Sequence, residues 1–415
     1  MIQYICRVNL TRARHILFYL LAFILFEESL RDSWLEGDLV GYVIAGDYAW
    51  HAKDIYSHWL NTWPPLFSLF GIVVYAIDSI SPLGLRILWQ LGSLWAVWHI
   101  FKRLSLLVYQ KPLVLNRAVK QEEMSFLDIR FQVPFFLAFK YILDNTANLQ
   151  INIYMLALCI EGIYLWKIAN KPVPAALLFG ITLALKVYTL FFVVWFLFTR
   201  QWKVFFATIA WVLLLNIPVF LFFGVDLTLH YYQYWWKEIA QGFPMILHKN
   251  QSLFAAIWRL TVEEDAGLGI STNLISLSMD EAKRFTYVLV LLIGSWPAMQ
   301  LFRLSQNKEK SLKGMALFLA LIPLLSPLAW KAYFIFLLPA QFILVKAWFD
   351  KKLSKWEKWV FVVSHILLII SSDIFVGPYV SDLAELYSLI TFGAILLVSL
   401  LLFPFFRLSS NKTSK

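Results

Sequence analysis

What most constrains this chain is the recurrence of long apolar stretches. The densest, LLFGITLALKVYTLFFVVWFLFTRQWKVFFATIAWVLLLNIPVFLFF, fills residues 177–223 with only Lys186, Arg200 and Lys203 as charges. About 20 apolar residues wound as a helix cross the hydrocarbon of a bilayer. With 60% hydrophobic and 15% charged residues, the chain exceeds what a water-soluble surface tolerates and calls for lipid as part of its solvent. In lipid every backbone N–H and C=O must be satisfied internally, which leaves helices or closed barrels, and the period-two alternation of a barrel strand is absent.

The expected fold class is therefore all-α, a polytopic membrane protein read as one integral membrane domain over 1–415. Twelve spans are expected near 15–30, 63–80, 84–101, 131–145, 149–167, 172–199, 202–223, 285–303, 314–329, 331–348, 358–376 and 386–406. The net charge of +10 does not imply nucleic acid, because Lys and Arg cluster beside the apolar runs, where they orient spans toward the cytoplasm. Arg7, Arg12 and Arg14 before HILFYLLAFILF read as an uncleaved signal anchor, since Glu27-Glu28 follows where a cleavage site would stand. Cys6 and Cys159 offer no disulfide framework. The tail from 409 to 415 is expected to be disordered.

Orientation from the basic residues places both termini in the cytoplasm, and loops 31–62 and 224–284 outside. The first half admits two assignments. Twelve crossings put the basic loop 102–130 outside. The alternative folds 172–199 into a re-entrant pair with Lys186 near its external apex, and requires one further segment not to cross. The long loop 224–284 contains LHYYQYWWKEIAQGF, whose aromatic density suits a helix lying at the membrane interface.

The first external loop carries Gly37-Asp38, Tyr42, Asp47, Asp54 and Trp63-Pro64-Pro65. Further on stand Gln150-Ile151-Asn152 opening a span, Lys186 in an apolar run, Asn250-Gln251-Ser252 with Arg259 behind it, and Ser326-Pro327-Leu328-Ala329-Trp330. In order and spacing this set resembles the polyprenyl-phosphate-mannose-dependent mannosyltransferases, a family of the GT-C membrane glycosyltransferases. Two departures stand out. Leu149 replaces a glycine, and Lys331-Ala332-Tyr333 follows Trp330 where the family has histidine, which bears on donor contact and sugar preference.

The resemblance implies a GT-C-like bundle that moves a mannose-like hexose, with inversion, from a polyprenyl-phosphate donor to a lipid-linked or glycan acceptor. The reaction is expected at the external face of a bacterial inner membrane, with membrane lipids as further partners. Asp38 matches the family's catalytic carboxylate. The residue chemistry agrees: a lipid phosphate leaves without protonation, so one base on the acceptor hydroxyl suffices, and partial desolvation strengthens a carboxylate base. Asp47 is the second candidate base. Lys186, Arg259 and Lys331 are candidates for the donor phosphate. Lys186 could instead pair with Glu161. Asp47, Tyr42, Gln150, Asn152, Asn250, Gln251, Trp330 and Tyr333 are candidates for sugar and acceptor contacts, helix–helix hydrogen bonding being the other account of the amides.

No cofactor and no metal are expected. His51 and His58 lack a third ligand at suitable spacing, and Asp38, Asp47 and Asp54 are not tightly grouped. Trp59, Trp63, Trp235 and Trp236 suit either sugar stacking or an interfacial belt. The chain has no Gly-rich phosphate cradle, which favours a lipid-linked over a nucleotide donor. Other readings of the same residues are a transporter or flippase of lipid-linked sugars, and an assembly subunit without activity.

Overall fold

The computed structural model describes residues 2–115, 120–187, 189–240, 246–304 and 308–402. They group into two compact units, Met1–Gly242 and Phe243–Lys415. Among the described residues the fold is all-α apart from one parallel pair of two-residue strands, Leu113–Val114 and Met124–Ser125.

The first unit holds α1 (Ile2–Asp32), α2 (Leu39–Trp50), α3 (Pro65–Ile80), α4 (Pro82–Leu104), α5 (Ile129–Ala147), α6 (Asn152–Lys167), α7 (Pro172–Lys186), α8 (Leu190–Phe198), α9 (Trp202–Phe223) and α10 (Val225–Tyr234). Local chemistry sets several starts. Pro65, Pro82 and Pro172 open their helices, where the missing N–H costs nothing. Ser81 caps α4 by accepting from the Gly84 N–H.

The stretch after α1 is not irregular chain. It folds as a hairpin of α2 and α3, packed through two glycines: a Cβ on Gly46 would lie 1.9 Å from the Gly71 carbonyl oxygen. This hairpin returns the chain to its starting level. Arg86, just inside α4, reaches Glu36 at 3.5 Å and the Trp34 carbonyl, both just past the end of α1. At the opposite end of the unit Arg14 of α1 donates to the Leu127 carbonyl at 3.2 Å, and Phe18 packs on Phe126 and Phe135. The basic N-terminal helix and loop 102–130 thus share one end.

The stretch 172–199 is broken rather than continuous. Val187 has φ +57°, a conformation that a β-branched residue rarely adopts. Thr189 then donates its hydroxyl to the Phe179 carbonyl at 2.7 Å. Phe179 stacks on Phe192 at 5.3 Å, whereas thirteen residues of unbroken helix would hold them about 20 Å apart. The chain therefore reverses, and α8 runs back along α7 with Lys186 at the apex. These contacts make 172–199 a helical hairpin, the shape that the second assignment gives it.

Among the described residues two helical runs are long and apolar enough to cross a membrane, Trp202–Phe223 and Lys331–Phe349. A third results if Pro378–Leu386 and Leu389–Leu402, bent by 60°, count as one. Trp202–Phe223 leaves Phe206, Leu213, Leu214 and Leu221 exposed, as a helix facing lipid would. The predicted interfacial helix is helical through α10 and a π-turn over Trp235–Ala240. Its Gln241–Phe243 end lies outside the described residues, as does the 409–415 tail.

The second unit holds α11 (Leu253–Thr261), α12 (Met279–Leu304), α13 (Lys308–Leu325), a 3₁₀ turn Lys331–Leu337, α14 (Leu338–Phe349), α15 (Lys355–Ile369), α16 (Asp373–Val376), α17 (Pro378–Leu386) and α18 (Leu389–Leu402). The N-terminus of α15 carries a capping box between Ser354 and Glu357. Gly393 of α18 lets Ser364 of α15 donate to its carbonyl at 2.8 Å.

Candidate active site

Asp38 stands at the N-terminus of α2, yet its carboxylate makes no capping bond. The backbone explains why it is aimed elsewhere. Gly37 has φ +52°, and a Cβ there would meet the Asn148 carbonyl oxygen at 2.5 Å. That close approach lets the Asp38 N–H donate to the same carbonyl at 2.8 Å. The turn between α5 and α6 is thereby locked against the start of α2.

On that turn Gln150 donates its amide to the Asp38 carboxylate. Asn152 donates to the Gln150 side-chain oxygen at 3.1 Å, and Lys186, at the α7–α8 apex, donates to the Asn152 side-chain oxygen at 3.3 Å. Asp38, Gln150, Asn152 and Lys186 therefore form one hydrogen-bonded chain drawn from three separate segments. Gln150 and Asn152 are buried, whereas Asp38 is exposed over part of its surface while surrounding atoms crowd its carboxylate. The enclosing protein raises the Asp38 carboxyl pKa above its ordinary value, and the Lys186 charge and Gln150 amide oppose that shift. The result is a carboxylate of increased basicity with a cation nearby, a pairing suited to taking a proton from a hydroxyl beside an anionic group.

Leu149, the residue in place of the family's glycine, has φ +46°. The position thus demands the left-handed backbone that glycine favours, and here a buried leucine adopts it beside Asp38.

Several candidates find other work. Tyr42 is fully buried, edge-on to Trp63 at 4.9 Å, and its hydroxyl accepts from the Ile151 N–H. It braces the turn. Asp47 lies nine residues further along α2, roughly 13 Å along the helix axis, and pairs with Lys53 at 3.0 Å and His51 at 2.8 Å. It does not share the Asp38 site. Glu161 is held by Arg103 and His99, at 2.5 Å and 2.8 Å, rather than serving as the partner of Lys186.

The remaining candidates belong to the second unit. Asn250 accepts from the Ser252 and Ala329 N–H groups and donates to the Pro327 carbonyl at 3.1 Å, stapling the Ser326–Trp330 turn. Gln251 donates to the carbonyls of His248 and Glu385. Both amides are buried and engaged with main chain, in line with the account by internal hydrogen bonds. Arg259 is likewise a brace. Its guanidinium donates to the carbonyls of Ile246, Leu247 and Asn250 and to the Ser388 hydroxyl, and burial lowers its pKa to about 10. Burial rather than a lack of donors separates it from solvent, since its Nε makes no hydrogen bond. Trp330 and Tyr333 are half-buried beside Lys331, whose ammonium pairs with Glu385 and, at 3.2 Å, Asp373. Sequence reading passed over His248, Lys249, Asp382 and Glu385. They meet across more than 130 residues, and no local spacing marks them.

No curated protein and no solved structure matches the chain. The profile of glycosyltransferase family 87 matches residues 61–327, which takes in Gln150, Asn152 and Lys186 and leaves Asp38 and Lys331 outside. That span is more than half of the sequence. The chain is a membrane protein and belongs to glycosyltransferase family 87.

Proposed function

We propose that this glycosyltransferase moves a hexose, mannose-like, from a polyprenyl-phosphate donor to a hydroxyl on a lipid-linked or glycan acceptor, with inversion at the anomeric carbon. Asp38 is the base. It takes the proton of the acceptor hydroxyl as that oxygen attacks the anomeric carbon, and the lipid phosphate leaves beside Lys186 without needing an acid. Gln150 and Asn152 hold the carboxylate and the ammonium in register. The observation that carries this reading is the unbroken hydrogen-bond chain from Asp38 through Gln150 and Asn152 to Lys186.

The reaction takes place on the external face of what we take to be a bacterial inner membrane, on a GT-C-like bundle with both termini cytoplasmic. Removing 63–80 and 172–199 as crossings from twelve leaves ten, an even number that puts loop 102–130 on the cytoplasmic side with the other basic loops. The decisive test is Asp38→Asn in the full chain. Transfer from a radiolabelled polyprenyl-phosphate sugar should fall to background while the melting profile in detergent is retained. Turnover within tenfold of the parent would remove Asp38 as the base.

A further inference from the structure

The second unit contains a group of ligating side chains that the proposed reaction does not use. His248 is 8% exposed, and its Nδ1 faces the Ala266 carbonyl at 2.9 Å. A carbonyl only accepts, so Nδ1 carries a proton, and in the neutral ring Nε2 presents its lone pair. That Nε2 has no hydrogen-bond partner, and it lies 3.8 Å from Asp382 Oδ1. Glu385 is fully buried on α17, and its Oε2 faces the Lys249 ammonium at 3.1 Å. One ligand atom from each of His248, Asp382 and Glu385 lies within 4.8 Å of the other two.

Lys249 currently sits where a cation would. Its ammonium contacts Asp382 and, at 3.1 Å, Glu385 Oε2, and its side chain is 42% exposed, so it can swing to water. The local charges favour that exchange. Asp373, Asp382 and Glu385 carry three negative charges against Lys249 and Lys331, which leaves one negative charge uncompensated beside His248. With Lys249 withdrawn, a divalent ion and Lys331 together balance the three carboxylates. An imidazole nitrogen with two carboxylates is a donor set for Mn²⁺ or Zn²⁺, with open positions left for water. A carbonyl behind the second ring nitrogen is the usual orienting partner of a metal-bound histidine.

We propose that His248 Nε2, Asp382 and Glu385 form a divalent-cation site in the second unit, with the Lys249 ammonium as its exchangeable occupant. The test uses the full chain in detergent, stripped with chelator and titrated with Mn²⁺ under electron paramagnetic resonance. The expected result is one bound ion per chain with nitrogen-14 coupling from an imidazole. His248→Ala should remove that coupling and weaken binding by about tenfold or more. Lys249→Met, which removes the competing ammonium while keeping the stem, should tighten binding by about tenfold. Melting profiles show whether each variant is folded. Equal Mn²⁺ binding by parent and folded His248→Ala, or no bound ion in the parent or in Lys249→Met, overturns the site. So does weaker binding in folded Lys249→Met.

Discussion

Replacing Gly37 by alanine tests whether Asp38 is placed by its backbone. The native φ of +52° costs an alanine about 1–2 kcal/mol. The new Cβ would sit 2.5 Å from the Asn148 carbonyl oxygen, and an ordinary contact near 3.4 Å requires the two segments to part by about 0.9 Å. That movement breaks the 2.8 Å bond from the Asp38 N–H, a further loss of about 1 kcal/mol. The expected destabilisation is about 2–3 kcal/mol. The catalytic effect should be larger, because Asp38 shifts relative to Gln150 and Lys186, and a displacement near 1 Å costs about 10²-fold in rate. Initial rates of sugar transfer, normalised to the folded fraction from thermal melting, measure both. A Gly37→Ala protein with the parental rate per folded molecule would show that the glycine serves folding alone, and the positioning argument would fail.

The raised Asp38 pKa fixes the sign of two pH effects. The native state holds this proton more tightly than the unfolded chain, so stability from this group is full below the unfolded carboxyl value of about 3.9 and is lost as pH rises through the native value. At neutral pH Asp38→Asn should therefore melt at or above the parental temperature, and the acidic limb of the parental rate profile should lie above the ordinary carboxylate range; a limb at or below that range contradicts the base assignment. Asp47→Asn breaks only partly exposed ion pairs and should change stability by less than about 1 kcal/mol while transfer stays within a few-fold of parental; a loss comparable to Asp38→Asn would make Asp47 the base. Arg259→Leu strands three carbonyls and a buried hydroxyl and should cost about 3 kcal/mol or more, leaving the donor KM of the folded fraction unchanged; a selective rise in that KM would return the phosphate to Arg259.

Much of the architecture could be read along the chain because its causes are local. An excess of apolar side chains implies lipid, lipid implies helices, and proline and serine mark where several helices begin. The residues around Asp38 were also legible, though as separate motifs. That Gln150 meets a carboxylate 112 residues earlier depends on how α2 packs against the α5–α6 turn, which no window of sequence encodes. The positive φ of Val187 and the return of α8 onto Phe179 likewise arise from packing, and apolar composition alone reads that stretch equally well as one span.

The same limit separates Lys186 from Arg259. Both are cations in apolar surroundings, and their sequence contexts assign them the same role. Only the folded arrangement distinguishes them: Lys186 belongs to a polar chain leading to Asp38, while the Arg259 guanidinium donates to three carbonyls and a buried hydroxyl. Hydrophobic burial is set by composition and spacing and acts without direction. A hydrogen bond needs its partner within about 3 Å, so the pairing of polar groups waits on the three-dimensional fold.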